Sequence, residues 1–99
     1  MSGRRAVVLS ADAELEARTA FSWYVERNRD VALRLEAELT QTIQSLEEAP
    51  FLGAEIGDGL RRVLLRHFPY GLIYSVEADR LVIVAVMHLR RRPDYWKGR

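Results

Sequence analysis

The second half of the chain holds the side chains that can assemble a site: Arg62, Arg66, His88, Arg90, Arg91, Arg92, Tyr95 and Trp96. Arg62 and Arg66 stand four apart in a stretch of alternating character, a spacing that puts both guanidinium groups on one face of a strand. Clustered guanidinium forks bind phosphate or carboxylate through paired hydrogen bonds; the same residues also serve simply to keep an open sheet face soluble. His88 closes the apolar run Leu81–Met87. An imidazole there can exchange protons near neutral pH or be a hydrogen-bonded strand end, and sequence identifies no partner for it. His67 shares the alternation of Val63 and Leu65 and reads as an edge of the core. Tyr95 and Trp96 can stack on nucleobases while nearby arginines hold the backbone, or close the end of a hydrophobic core. The core lid is the favoured reading for Trp96, and Tyr95 stays open between the two.

These groups need a scaffold, and the chain predicts one. Arg5–Leu9 reads as a short strand, stopped by Ser10, an N-cap residue followed by Asp12 and Glu14 in the favourable first turn. Ala13, Ala17, Ala20, Phe21 and Tyr24 recur at helical spacing to about Val25. Asn28-Arg29-Asp30 interrupts them, and Asp30 is the expected cap of a second helix. Its stripe is Ala32, Leu35, Leu39, Ile43 and Leu46, with Arg34, Glu38 and Gln41 facing away, until Pro50 ends it. Gly53, Gly57, Asp58 and Gly59 predict a loop from Pro50 to Gly59. Beyond it the period becomes two: Leu60–Phe68 forms a strand, Pro69-Tyr70-Gly71 a turn, and Leu72–Val76 a strand. Ala78-Asp79 is a tight connection to Leu81–Met87, which is apolar on both faces and therefore central. The expected fold is α+β, in the order β-α-α-β-β-β. A helical hairpin at residues 11–48 packs on one face of a mostly antiparallel four-stranded sheet, leaving the other face for function. Residues 1–99 read as a single domain.

Composition narrows the function. The formal net charge is +1, but residues 1–59 carry 6 arginines against 11 acids and residues 60–99 carry 9 Arg and Lys against 3 acids. That division points to a basic face for a polyanion or an acidic partner. The chain has no cysteine and two histidines, so a disulfide framework or a closed zinc site is not expected. Neither a phosphate-binding glycine loop nor a nucleophile elbow occurs. No cofactor and no metal are expected. The apolar stretch near the start, Ala6–Leu9, is far too short for a signal core or a membrane span, which makes a cytoplasmic protein the expectation.

Written as H-x-R-R-x-P-x-Y-W, the segment His88–Trp96, preceded by Phe68-Pro69-Tyr70-Gly71-Leu72-Ile73-Tyr74, resembles the RelE/ParE toxins of bacterial type II toxin–antitoxin pairs. The likeness extends over nearly the whole chain. It implies a RelE/ParE-like fold and a small cognate antitoxin from a neighbouring gene, bound in a hetero-oligomer. RelE-branch toxins cut messenger RNA on the ribosome with cations and a C-terminal tyrosine; ParE-branch toxins poison DNA gyrase. By resemblance, Arg62 falls where the RelE branch has a strand lysine, Arg66 on an arginine and Tyr95 on the catalytic tyrosine. Leu64 and Gly71, however, stand where that branch has a second lysine and an arginine, and Arg91 or Arg92 replaces another arginine only out of register. The resemblance therefore implies a ParE-like gyrase inhibitor, with Arg62, Arg66, Arg90, Arg91, Arg92, Tyr95 and Trp96 meeting target or antitoxin. The alternatives are a ribosome-dependent endoribonuclease using Arg62, Arg66, His88, Arg91 and Tyr95, and a detoxified relative serving as a binding or regulatory module.

Overall fold

The structure, a computed structural model, describes residues 5–90 and 94–99. Its elements are β1 (Ala6–Leu9), α1 (Ala11–Val25), α2 (Arg29–Glu48), β2 (Ala54–Gly57), β3 (Leu60–Leu64), β4 (Tyr70–Val76) and β5 (Arg80–His88). α1 begins as its sequence dictates: Ser10 is extended and its hydroxyl accepts from the Ala13 N–H at 3.1 Å. α2 begins two residues earlier than expected. Asn28, not Asp30, is its cap, with Oδ1 accepting from Asp30 N (3.0 Å) and Val31 N (3.2 Å). Asp30 sits inside the first turn, where its charge faces the positive end of the helix.

The sheet has five strands, in the order β1-β5-β4-β3-β2, with β1 parallel to β5 and every other pair antiparallel. The extra strand is β2, inside the stretch expected to be loop. Four residues are too few to show an alternation, and only the turn that follows is legible, where Gly57, Asp58 and Gly59 all take positive φ. β3 stops at Leu64, four residues short of the expected Phe68, and β4 starts at Tyr70, inside the expected turn. The turn therefore occupies residues 65–69, closed by a hydrogen bond from Leu65 N to Tyr70 O (2.9 Å).

Both sheet faces carry a core. Under the helices, Ala13, Ala20, Leu35 and Leu46 pack with Leu72, Tyr74, Leu81, Ile83 and Val86. On the opposite face Ile73, Ala85 and Met87 are covered by Trp96, which is buried. That second face, expected to be open, is thus partly closed by the core lid predicted for Trp96. A register shift in the β4–β5 ladder pairs Tyr74 with Ile83 but Ile73 with Ala85, leaving Val84 as the extra residue of a bulge. The bulge reverses the alternation of β5. Leu81 and Ile83 face the helices before it, and Val86 faces them after it.

Candidate functional site

Arg62 stands exposed in mid-β3, between Ala54 of β2 and Ile73 of β4, on the face away from the helices. The next row on that face is Leu64, Gly71 and Met87. Leu64 is 49% exposed, and a Cβ built on Gly71 would lie 3.0 Å from its Cδ2, so the leucine fills the space that the glycine leaves. Arg66 does not continue the row. It lies in the turn, past the end of the strand, and lines a groove between α2 and β3 that Arg62 does not line.

This groove, about 800 Å³, is walled by Val31, Arg34, Glu38 and Gln41 of α2 on one side and by Val63, Leu64, Arg66 and His67 on the other, with Leu52 also lining it. Glu38, expected to face away, is turned into it. Its carboxylate accepts from the Arg66 N–H, from the His67 N–H at 3.3 Å, and approaches His67 Nδ1 at 3.2 Å. His67 is accordingly an exposed partner of Glu38 and not an edge of the core. With its one acid engaged in holding the turn, the groove presents an apolar floor and guanidinium rims from Arg34 and Arg66. Glu38 left no local signal, because its partners are 28 and 29 residues away.

His88 faces elsewhere. Following the bulge, its ring turns to the α1 side, edge-on to Tyr70 with centroids 5.0 Å apart. The Arg90 N–H donates to Nδ1 at 3.0 Å, which leaves the ring proton on Nε2. The structure therefore separates His88 from Arg62 by the thickness of the sheet. Burial, followed by the neighbouring Tyr24 phenol, raises the Tyr70 pKa. Tyr70, Val86 and His88 form one wall of a second cleft of about 530 Å³, and Asp12, Leu15, Glu16, Thr19 and Trp23 of α1 form the other. Trp23 is 49% exposed, and Arg27 lies 3.7 Å from its ring centroid. Neither was singled out from sequence, although a tryptophan off the apolar stripe of a helix is a readable signal.

At the C-terminal end, Tyr95 is half-buried and edge-on to Trp96 at 5.6 Å, and its hydroxyl is shut off from solvent. Arg99 crosses to α1, bonding Glu16 through both Nη atoms (3.0 and 3.1 Å) and the Val84 carbonyl at 3.0 Å. These bonds to Glu16 raise the Arg99 pKa. Glu16 in turn accepts from the Val86 N–H at 2.9 Å. Of the arginine run, Arg90 is exposed, while Arg91 and Arg92 lie outside the described residues. Among the described residues no group of three or more acidic or histidine side chains is placed to hold a metal ion, and no helix is long and apolar enough to cross a membrane.

Residues 7–93 match the family described as ParE toxin of type II toxin-antitoxin system, parDE. The chain belongs to the ParE toxin family. Among solved structures, ParE-like architecture recurs in a chain from "Chromosomal ParDE TA system from P. aeruginosa", with a TM-score of 0.77 at 16% identity, over 89% of this chain and 99% of that one. No curated protein matches. Membership of the ParE family accords with the meander, the helical hairpin and the arginine-bearing β3 described above, and makes the chain a toxin-family member of a type II toxin–antitoxin system.

Proposed function

We propose that this ParE-family chain acts in the cytoplasm, as a single domain, by inhibiting DNA gyrase, and that a cognate antitoxin keeps it silent. The observation that carries the reading is the Leu64–Gly71 pair beside Arg62. A phosphodiester-cleaving face needs cations fixed where charge develops, and here a half-exposed leucine fills the place over a residue with no side chain. Two further placements support it: the Tyr95 hydroxyl is closed off from solvent, and His88 opens on the other side of the sheet. The target contacts in this reading are Arg62, Arg90, Arg91 and Arg92. The α2–β3 groove suits the antitoxin, because an apolar floor with guanidinium rims fits an amphipathic acidic segment.

The test is a direct comparison of two activities. Purified chain is expected to inhibit gyrase supercoiling and leave messenger RNA intact in a reconstituted translation system. Tyr95→Phe should keep that inhibition, and charge reversal of Arg91 and Arg92 together should abolish it. Codon-positioned cleavage of messenger RNA, lost on Tyr95→Phe by about 100-fold or more as for a general acid or base, would overturn the gyrase reading. Co-expression with the adjacent small gene should recover a stable complex that Arg34→Glu with Arg66→Glu weakens.

A further inference from the structure

The turn between β3 and β4 does not satisfy its own tip. The Leu65 N–H goes to the Tyr70 carbonyl at 2.9 Å, but the next two N–H groups, of Arg66 and His67, find their acceptor on another element, the Glu38 carboxylate of α2. Two successive backbone donors converging on one carboxylate form an anion-holding concavity. Here the chain fills it with its own anion. The Glu38 side chain is only 14% exposed, and a polar group withdrawn this far from water needs the hydrogen bonds it makes.

This tie sets the geometry of the α2–β3 groove. α2 packs on α1 and β1, and Glu38 joins it to the opposite wall. Leu65 is buried and Phe68 lies edge-on to Tyr24 at 5.4 Å, so the two sides of the turn are anchored in the core while its exposed tip, Arg66 and His67, is held by Glu38. Arg34 precedes Glu38 by four residues, about 6 Å along the helix. The backbone of Arg66 is bonded to Glu38 itself, so the two exposed guanidinium groups spring from fixed points on either side of the groove. Among the described residues neither is in an ion pair, which leaves both for a partner. A rim arginine on an unheld turn would have to be ordered as the partner arrives, and that ordering weakens binding.

We propose that Glu38 is a positioning residue for recognition in this groove: by holding the tip of the turn on α2 it presets Arg66 opposite Arg34, so that an acidic segment meets two guanidinium groups already in place. Glu38 acts through Arg66. Its negative charge taken alone opposes an acidic partner, so the acceptor function and the charge of this one carboxylate pull in opposite directions, and substitutions can separate them. The inference rests on the groove being the antitoxin site and is independent of which cellular target the chain acts on.

The test is a double-mutant cycle on Glu38 and Arg66, read as the affinity of the full chain for the purified full-length antitoxin encoded by the adjacent small gene. Arg66→Ala in the otherwise unchanged chain should weaken binding about tenfold, and Glu38→Ala should do so by a similar factor, whereas Arg66→Ala added to Glu38→Ala should cost about twofold or less, because contacting groups that act together are not additive. A side chain that merely stabilises the fold would leave the Arg66 effect at full size in both backgrounds. Glu38→Gln keeps an oxygen acceptor for both N–H groups and removes the charge, so it should bind at least as tightly as the unchanged chain. In the free chain, amide exchange at Arg66 and His67 should be slow with Glu38 or Gln and fast with Ala, with circular dichroism unchanged throughout. Additive losses overturn the inference and leave the groove reading standing, as does a Glu38→Gln chain that binds as weakly as Glu38→Ala. Tighter binding by Glu38→Ala would show that the charge alone matters and equally overturn it. If Arg34→Glu with Arg66→Glu leaves antitoxin affinity unchanged, the groove reading fails and this inference falls with it.

Discussion

Tyr74 shows what a single hydroxyl does here. It is fully buried in mid-β4, and it accepts a hydrogen bond from the Gly53 N–H at 2.8 Å, tying the segment after α2 to the middle of the sheet. Gly53 is required by proximity: a Cβ there would lie 2.7 Å from that hydroxyl and 2.8 Å from the Arg62 carbonyl. Arg61 adds to the tie, donating to the Gly53 carbonyl at 2.7 Å. Tyr74→Phe leaves a buried N–H unpaired, so urea denaturation should show a loss of about 1–3 kcal/mol. Burial raises the Tyr74 pKa above its ordinary value of 10.0, an effect only partly offset by the Gly53 bond and by Arg61. The folded chain therefore keeps this proton to a higher pH than the unfolded chain. The contribution is constant below pH 10, and stability falls above it as the unfolded chain alone ionises. A plot of stability against pH should bend downward above pH 10, and the bend should be shallower in Tyr74→Phe. Nothing in the sequence around Tyr74 or Gly53 announces the bond, since the partners are 21 residues apart.

Among the elements, helices and long strands were legible and their junctions were not. The stripe of α2 and the stop at Pro50 follow from period and proline chemistry, yet the cap moved from Asp30 to Asn28. Both residues are good caps, and sequence alone does not say which one is extended. The structure makes the distinction measurable: Asn28→Ala should cost about 1 kcal/mol, because two N–H donors lose their acceptor. Asp30→Ala should cost about 0.3–1 kcal/mol, and that cost should fall in high salt as the helix-end charge effect is screened. Thermal unfolding at two ionic strengths separates them. The same limit explains the candidate site. Arg62 was placed by alternation, but Arg66 sits in a turn set by Glu38 of another element. His88 was carried to the opposite face by the Val84 bulge, and a bulge inside an unbroken apolar run has no signature in a period-two reading.

For the molecule as a whole, two cores share one sheet and differ in kind. The helix-side core draws on four elements, whereas the opposite one is closed by Trp96 from a single short segment. Trp96→Ala should therefore cost about 3–5 kcal/mol, in the range for removal of a buried aromatic. Amide exchange should quicken first in β3 and the far end of β5, with the α1–α2 hairpin the last to lose protection. If α1 and α2 exchange as fast as β3, the two cores are not separable in this way. The clasp at the other side of β5 has a further consequence. β1 pairs only with Arg80–Ile83, so the rest of that edge would offer free amide and carbonyl groups to any passing chain. Instead the Val86 N–H is taken by Glu16 and the Val84 carbonyl by Arg99. Side chains that cannot propagate a ladder terminate it, which protects freshly made chains from strand-by-strand aggregation before they meet any partner.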